Sequence, residues 1–199
     1  MSDFHPNTVS KASLSPQYKL RKTVVLVGMM GAGKTAVGRL LAERLQVPFR
    51  DSDSEIEAAA NMSIPEIFER DGEGFFRKKE ALVIDRLLAG VPCILSTGGG
   101  AFLAPGNRAA ITAQGVSVWL NADLDLLWER VRHKTTRPLL RTDDPRQTLS
   151  EIFHARRDIY ALSDLSVRAD PAFSIEDMVD QVIQTVLQRA DVLEVSDAA

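Results

Sequence analysis

The run Thr23-Val24-Val25-Leu26-Val27, followed by Gly28-Met29-Met30-Gly31-Ala32-Gly33-Lys34-Thr35, decides how the chain is read. The first five residues predict a strand buried on both faces, and Val37, Leu40, Leu41 and Leu45 beyond the glycines fall at helical spacing. Strand, glycine turn and helix start thus come in the order that a phosphate-binding loop requires. Glycines let the backbone curl until several N–H groups point at one anion, and the positive end of the following helix adds to their field. Lys34 supplies a point charge for the β- and γ-phosphates, and Thr35 offers a hydroxyl to a magnesium ion. A chance glycine-rich turn would satisfy only part of this pattern. The stretch predicts binding of a nucleoside triphosphate.

Composition narrows the setting. A chain of 199 residues, 45% hydrophobic and 26% charged, suits one ordinary globular domain. A net charge of −3 gives no electrostatic case for nucleic acid as a partner. Cys93 is the single cysteine and sits in an apolar run, so it reads as a core residue in a reducing compartment. No apolar stretch approaches the roughly 20 residues that span a membrane, and the N-terminus lacks the apolar segment of a signal peptide. The expectation is a cytoplasmic monomer with no membrane partner.

Three segments are expected: a flexible arm over residues 1–21, one domain over 22–189, and a frayed tail over 190–199. Apolar runs predict strands at Thr23–Val27, 47–50, 91–95, 116–120 and 166–169. Between them, helical spacing predicts Lys34–Leu45, 55–60, 75–88, Leu124–Val131, 149–162 and 174–188. Ser63-Ile64-Pro65-Glu66 is a capping box with proline at the helix start. Periodicity vanishes over 133–146 while basic residues accumulate, which reads as a lid. Strands that are continuous apolar runs, alternating with helices, predict a three-layer α/β domain around a central five-stranded parallel sheet.

The phosphate loop alone leaves GTPases, motor ATPases and kinases open. No Asn-Lys-x-Asp run is present for guanine, no apolar strand ends in the acidic residues of motor ATPases, and the chain is short. A small phosphotransferase with a lid remains. In an open parallel sheet, ligands sit beyond the carboxyl ends of the strands. The phosphate loop, Asp51/Asp53 and Gly98-Gly99-Gly100 follow three different strands and can converge there. One aspartate could serve magnesium and the other an acceptor hydroxyl, although Asp51-Ser52-Asp53-Ser54 also suits a helix cap. His5, His133 and His154 show no metal-ligand spacing.

Taken together, the chain resembles shikimate kinases. The resemblance is carried by residues 28–35 with Gly38-Arg39-Leu40, Asp51-Ser52-Asp53, Phe76-Arg77 with Glu80, the triple glycine, Arg137-Pro138-Leu139-Leu140, and Arg156 four residues before Tyr160. It runs from about Thr23 to the final helix. It implies a P-loop NTPase domain of the nucleoside monophosphate kinase type with a mobile lid. The activity implied is phosphorylation of the 3-hydroxyl of shikimate by ATP, with Mg2+, a step towards chorismate and the aromatic amino acids.

Position by position, the resemblance assigns ATP to Gly31, Ala32, Gly33, Lys34, Thr35 and Ala36, with Arg130 near adenine. Arg137 would swing over the transferring phosphate. Thr35 ligates magnesium and Asp51 holds the ion through water. Asp53 bonds shikimate hydroxyls and is the catalytic base, or it only orients the hydroxyl, since phosphoryl transfer is mostly positioning and charge neutralisation. Arg77 and Arg156 bind the substrate carboxylate, which guanidinium forks meet bidentately. Glu80 holds Arg77 and reaches substrate through water. Gly99 and Gly100 let the backbone approach the substrate ring. Departures are small: Ala36 stands where Ser or Thr is usual, and Asp158-Ile159 replaces Pro-Leu before Tyr160, which leaves Arg157 as an alternative to Arg156. Other acceptors on the same fold, gluconate or a nucleoside monophosphate, and a catalytically silent ATP-binding module are the rival readings.

Overall fold

The computed structural model describes residues 17–134 and 138–196. In chain order these form β1 (Gln17–Leu20), β2 (Thr23–Val27), α1 (Lys34–Leu45), β3 (Phe49–Asp51), α2 (Ser52–Ala60), α3 (Ile64–Leu88) and β4 (Ile94–Ser96). There follow α4 (Pro105–Gln114), β5 (Gly115–Asn121), α5 (Leu124–Val131), α6 (Pro145–Tyr160), β6 (Leu165–Arg168), α7 (Ile175–Val186) and β7 (Leu193–Ser196).

The expected five-stranded parallel sheet is present, in the order β3-β4-β2-β5-β6. Every residue of β2 and β4 is buried, which only apolar or small side chains tolerate on both faces at once. Helices flank the sheet, with α1 packing on α7 and α3 on α2 and α4. Most buried apolar residues join one cluster around β2, β4 and β5. A second, smaller cluster of Ile56, Ile67, Phe76 and Val83 holds α2 and α3 together, with the Phe68 and Phe76 rings 4.8 Å apart.

Several expectations are corrected. Residues 17–20 are not part of a free arm and residues 193–196 are not frayed, because β1 and β7 pair antiparallel in a separate two-stranded sheet. Arg21 to Glu194 and Lys22 to Asp191, both at 2.8 Å, tie the same two ends. The strand expected at 91–95 is shifted to Ile94–Ser96. Pro92 has no N–H to give a ladder, and Val91 is exposed. The helices at 63 and 75 are one element, interrupted only at Gly72, whose φ of 80° and ψ of 170° break the helical path. α4 is an addition: its buried residues are Asn107 and Ile111, so no apolar stripe announces it, and Asn107 is held by the Ala101 carbonyl at 2.9 Å. Pro145 and Arg146, expected in the lid, open α6 under an Asp144 cap.

Candidate active site

The phosphate loop leaves β2 and turns through left-handed backbone at Gly31 (φ 83°) and Gly33 (φ 95°), the second serving as N-cap of α1. At Gly31 a side chain is excluded on two grounds, since a Cβ there would also lie 2.7 Å from Val131 Cγ1. Lys34 Nζ donates to the Gly28 and Met29 carbonyls at 2.7 and 3.0 Å, which holds the charge over the loop. Arg130 Nη1 reaches the Gly31 and Ala32 carbonyls at 3.4 and 3.5 Å, and burial lowers its pKa. The loop, with Thr35 and Ala36, lines a cavity of about 410 Å3 that also takes in Asp51, Asp53, Gly98, Gly99 and Arg130. The three strand ends therefore converge. Arg137 lies outside the described residues.

The two aspartates are placed differently. Asp51 Oδ1 accepts from the N–H groups of Asp53 and Ser54 at 3.1 and 3.3 Å and so caps α2. Asp53, in the first turn, turns to the glycines: a Cβ on Gly98 would lie 2.7 Å from its Oδ1. Burial, then the charges of Asp51 and Glu80, push its pKa up to about 6 against the pull of Lys34. Beneath it the buried Ser52 hydroxyl accepts from Gly98 N–H at 3.2 Å.

Arg77 approaches the next glycine but one. Its Nη2 and Nη1 would lie 2.6 and 2.7 Å from a Cβ on Gly100. Glu80 Oε2 accepts from Nη1 at 2.8 Å, while Glu73 Oε1 accepts from Nε and Nη2 at 3.3 and 3.2 Å. Burial opposes the guanidinium charge, yet Glu80 and Glu73 more than offset this and raise its pKa. Glu80 is only 1% exposed, and its Oε1 has no hydrogen-bond partner among the described residues. Burial raises the Glu80 pKa against the lowering effect of Arg77.

Arg156 completes the row. Its Nη1 would lie 3.7 Å from a Cβ on Gly99, whereas Arg157 is exposed. Of these two arginines, Arg156 is the one that lies beside the glycine turn. Gly98, Gly99 and Gly100 face Asp53, Arg156 and Arg77 respectively; a side chain at Gly98 or Gly100 would crowd its neighbour, while Gly99 stands at ordinary contact distance from Arg156. Three residues to which the sequence reading assigned no role also lie here. Glu73 brackets Arg77, Ser52 supports Gly98, and Tyr160 donates to the Gly99 carbonyl at 2.5 Å. The signal for Tyr160 was its place four residues after Arg156, on one helix face.

A phosphate loop on a parallel sheet, faced by a half-buried carboxylate and two arginines, defines a P-loop kinase of the small-molecule class. The sequence model of the shikimate kinase family matches residues 30–187. Shikimate kinase of Ruegeria pomeroyi is 68% identical over 177 residues, 89% of this chain and 91% of its own. That of Cereibacter sphaeroides is 61% identical over 179 residues, 90% and 89% of the two chains. The structure of shikimate kinase from Acinetobacter baumannii in complex with shikimate superposes with a TM-score of 0.79 at 35% identity, covering 85% of this chain and 94% of that one. The chain belongs to the shikimate kinase family. No helix among the described residues is long and apolar enough to cross a membrane.

Proposed function

We propose that this chain transfers the γ-phosphoryl group of ATP to the 3-hydroxyl of shikimate, giving shikimate 3-phosphate and ADP. The observation that carries the reading is the row of Asp53, Arg156 and Arg77 over three successive glycines beside the phosphate loop. Two guanidinium forks suit the carboxylate of the acceptor, and the glycines leave room for its ring. Asp53 then meets the hydroxyl. With a pKa of about 6 it is mostly ionised at neutral pH and still close enough to accept a proton that leaves late. The unpartnered Glu80 Oε1 suits a bridging water between this carboxylate and the acceptor.

On the donor side, the loop N–H groups and Lys34 hold the phosphates, with Arg130 beside them and Arg137 assigned to the transferring phosphate by the family resemblance. The donor set fits magnesium. Thr35 and Asp51 offer hard oxygens to one cavity, and the described residues contain no cluster of three acidic, His or Cys side chains that would cage a metal by themselves. That is the arrangement for an ion held chiefly by phosphate and water, with one or two protein ligands. When bound, the ion neutralises phosphate charge during transfer.

ADP release with MgATP, measured with shikimate against gluconate, AMP and no acceptor, tests the reading. Release that requires shikimate, and that is lost in Asp53→Asn and Arg77→Ala, is the expected result. Release with another acceptor overturns the substrate assignment, and acceptor-independent ATP binding without turnover overturns the catalytic one.

A further inference from the structure

Tyr160 closes α6 with 1% of its surface exposed, and its neighbours come from both sides of the site. Its phenol donates to the Gly99 carbonyl at 2.5 Å. The phenol oxygen and Arg156 Nη1 approach the same point above Gly99, where a Cβ would lie 3.8 and 3.7 Å from them. The Tyr160 ring stacks on Trp119, with centroids 6.3 Å apart and planes at 28°. Trp119 in turn flanks the first glycine of the phosphate loop, since a Cβ on Gly28 would lie 3.3 Å from its Cδ1. Burial raises the phenol pKa, against the charge of the nearby Arg156, so the group stays a neutral O–H. A phenol has one donor and acceptor lone pairs. Donation to Gly99 therefore leaves the oxygen open to an Arg156 N–H.

We propose that Tyr160 is a positioning residue for acceptor binding: it donates to Gly99 and accepts from Arg156, and so fixes the glycine turn and the guanidinium fork relative to each other. Arg156 and Tyr160 stand at i and i+4 on α6, where such a pair meets. An arginine side chain otherwise keeps much rotamer freedom, which binding of a carboxylate would have to remove. The buried phenol removes part of it beforehand. The inference rests on the reading of Arg156 as a partner of the acceptor carboxylate.

Steady-state kinetics of Tyr160→Phe, Arg156→Ala and the double variant, with shikimate and ATP varied separately, test it. Tyr160→Phe should raise the KM for shikimate about tenfold, the size of one hydrogen bond to a charged group. The KM for ATP and kcat should stay within about twofold. In the Arg156→Ala background the Tyr160 substitution should add nothing, since the interaction it serves is gone. Equal rises in both KM values, or full additivity in the double variant, would mean a structural role and overturn the inference. A normal shikimate KM in Arg156→Ala would overturn the carboxylate reading itself, and with it this one, so the two failures are told apart. Should Tyr160→Phe not fold, the wild-type side chain can be watched instead. Tyr18 and Tyr160 are the only tyrosines, so a Tyr18→Phe chain labelled with 13Cζ-tyrosine carries one signal. That signal should shift on saturation with shikimate; a signal that stays put while shikimate binds overturns the inference.

Discussion

The two halves of the site are built differently. The proposed phosphate side is centred on one unbroken stretch, residues 28–35, which runs from the end of β2 into α1 and is seated on the main apolar cluster, with Arg130 of α5 beside it. Its donors are mostly backbone N–H groups. The proposed acceptor side is assembled from α2, α3, the turn after β4, and α6, and its charged groups are all side chains. α2 and α3 share a small cluster of their own, Ile56, Ile67, Phe76 and Val83. A contiguous backbone cradle changes only when the fold does, whereas an assembled set of side chains changes one member at a time. Substitutions should therefore separate the two substrates.

The largest separation should come from Asp53→Asn. Removing a general base or orienting carboxylate costs about 10^3-fold in kcat, while the cradle for ATP is left intact. Equilibrium binding of ATP beside turnover measures both. A parallel loss of ATP affinity would break the distinction between the halves, because Asp53 would then act on the phosphates as well.

A pair of glycine substitutions sharpens the contrast. Gly31→Ala forces a side chain into φ 83° and within 2.7 Å of Val131, so both ATP affinity and thermal stability should fall. The affinity loss should be about tenfold or more. Gly100→Ala meets only the flexible end of Arg77. The guanidinium can move aside, so the melting temperature should hold. The KM for shikimate should rise about tenfold as the fork leaves its place. A Gly100→Ala protein that melts early and keeps its KM would show that the turn serves the fold and not the acceptor.

The same contrast explains what the sequence made legible. The phosphate loop is local: residue type, spacing and flanking pattern all fall within a dozen positions, and α1 lies at Lys34–Leu45 as expected. The acceptor side is non-local. The charge run Arg77-Lys78-Lys79-Glu80 reads as a solvated helix face, and only the fold turns Arg77 and Glu80 inward towards Gly100 while Lys78 and Lys79 stay out. Arg156 and Arg157 are adjacent in sequence, and helix rotation alone distinguishes them. The pairing of β1 with β7 joins segments 173 residues apart at Arg21 and Glu194, and each strand is only four residues long. Alternation over so short a run is easily taken for a terminus. α4 hides for another reason: a buried asparagine stands where a periodic reading looks for an apolar side chain.

A titration divides the halves again. As the base proposed above, Asp53 has to be ionised to receive the hydroxyl proton, and burial pushes its pKa up to about 6. The kcat/KM for shikimate should fall on the acid side with a limb near pH 6, losing about tenfold per further pH unit below it. ATP binding should show no such limb from Asp53. A limb near the ordinary carboxylate value would mean that neither burial nor the Asp51 and Glu80 charges reach the catalytic group.

The effect on stability is informative chiefly through its sign. Asp53 has a pKa of about 6 in the folded chain against an ordinary 3.8, so the fold binds its proton more tightly than the unfolded chain does. Its contribution is fully present below the unfolded value and is lost as the pH rises through the folded one. Two pKa units correspond to about 3 kcal/mol of deficit at neutral pH and above. A carboxamide at this position carries no charge to desolvate. Asp53→Asn should accordingly melt higher than the wild type at pH 8, by about 6 to 12 °C for a chain of this size, and the gap should close towards pH 4. Equal melting at pH 8 would mean that the carboxylate is solvated or paired in the folded chain. In that case the acceptor side would lose its pre-set base, and Asp53 would be left with orientation of the hydroxyl alone.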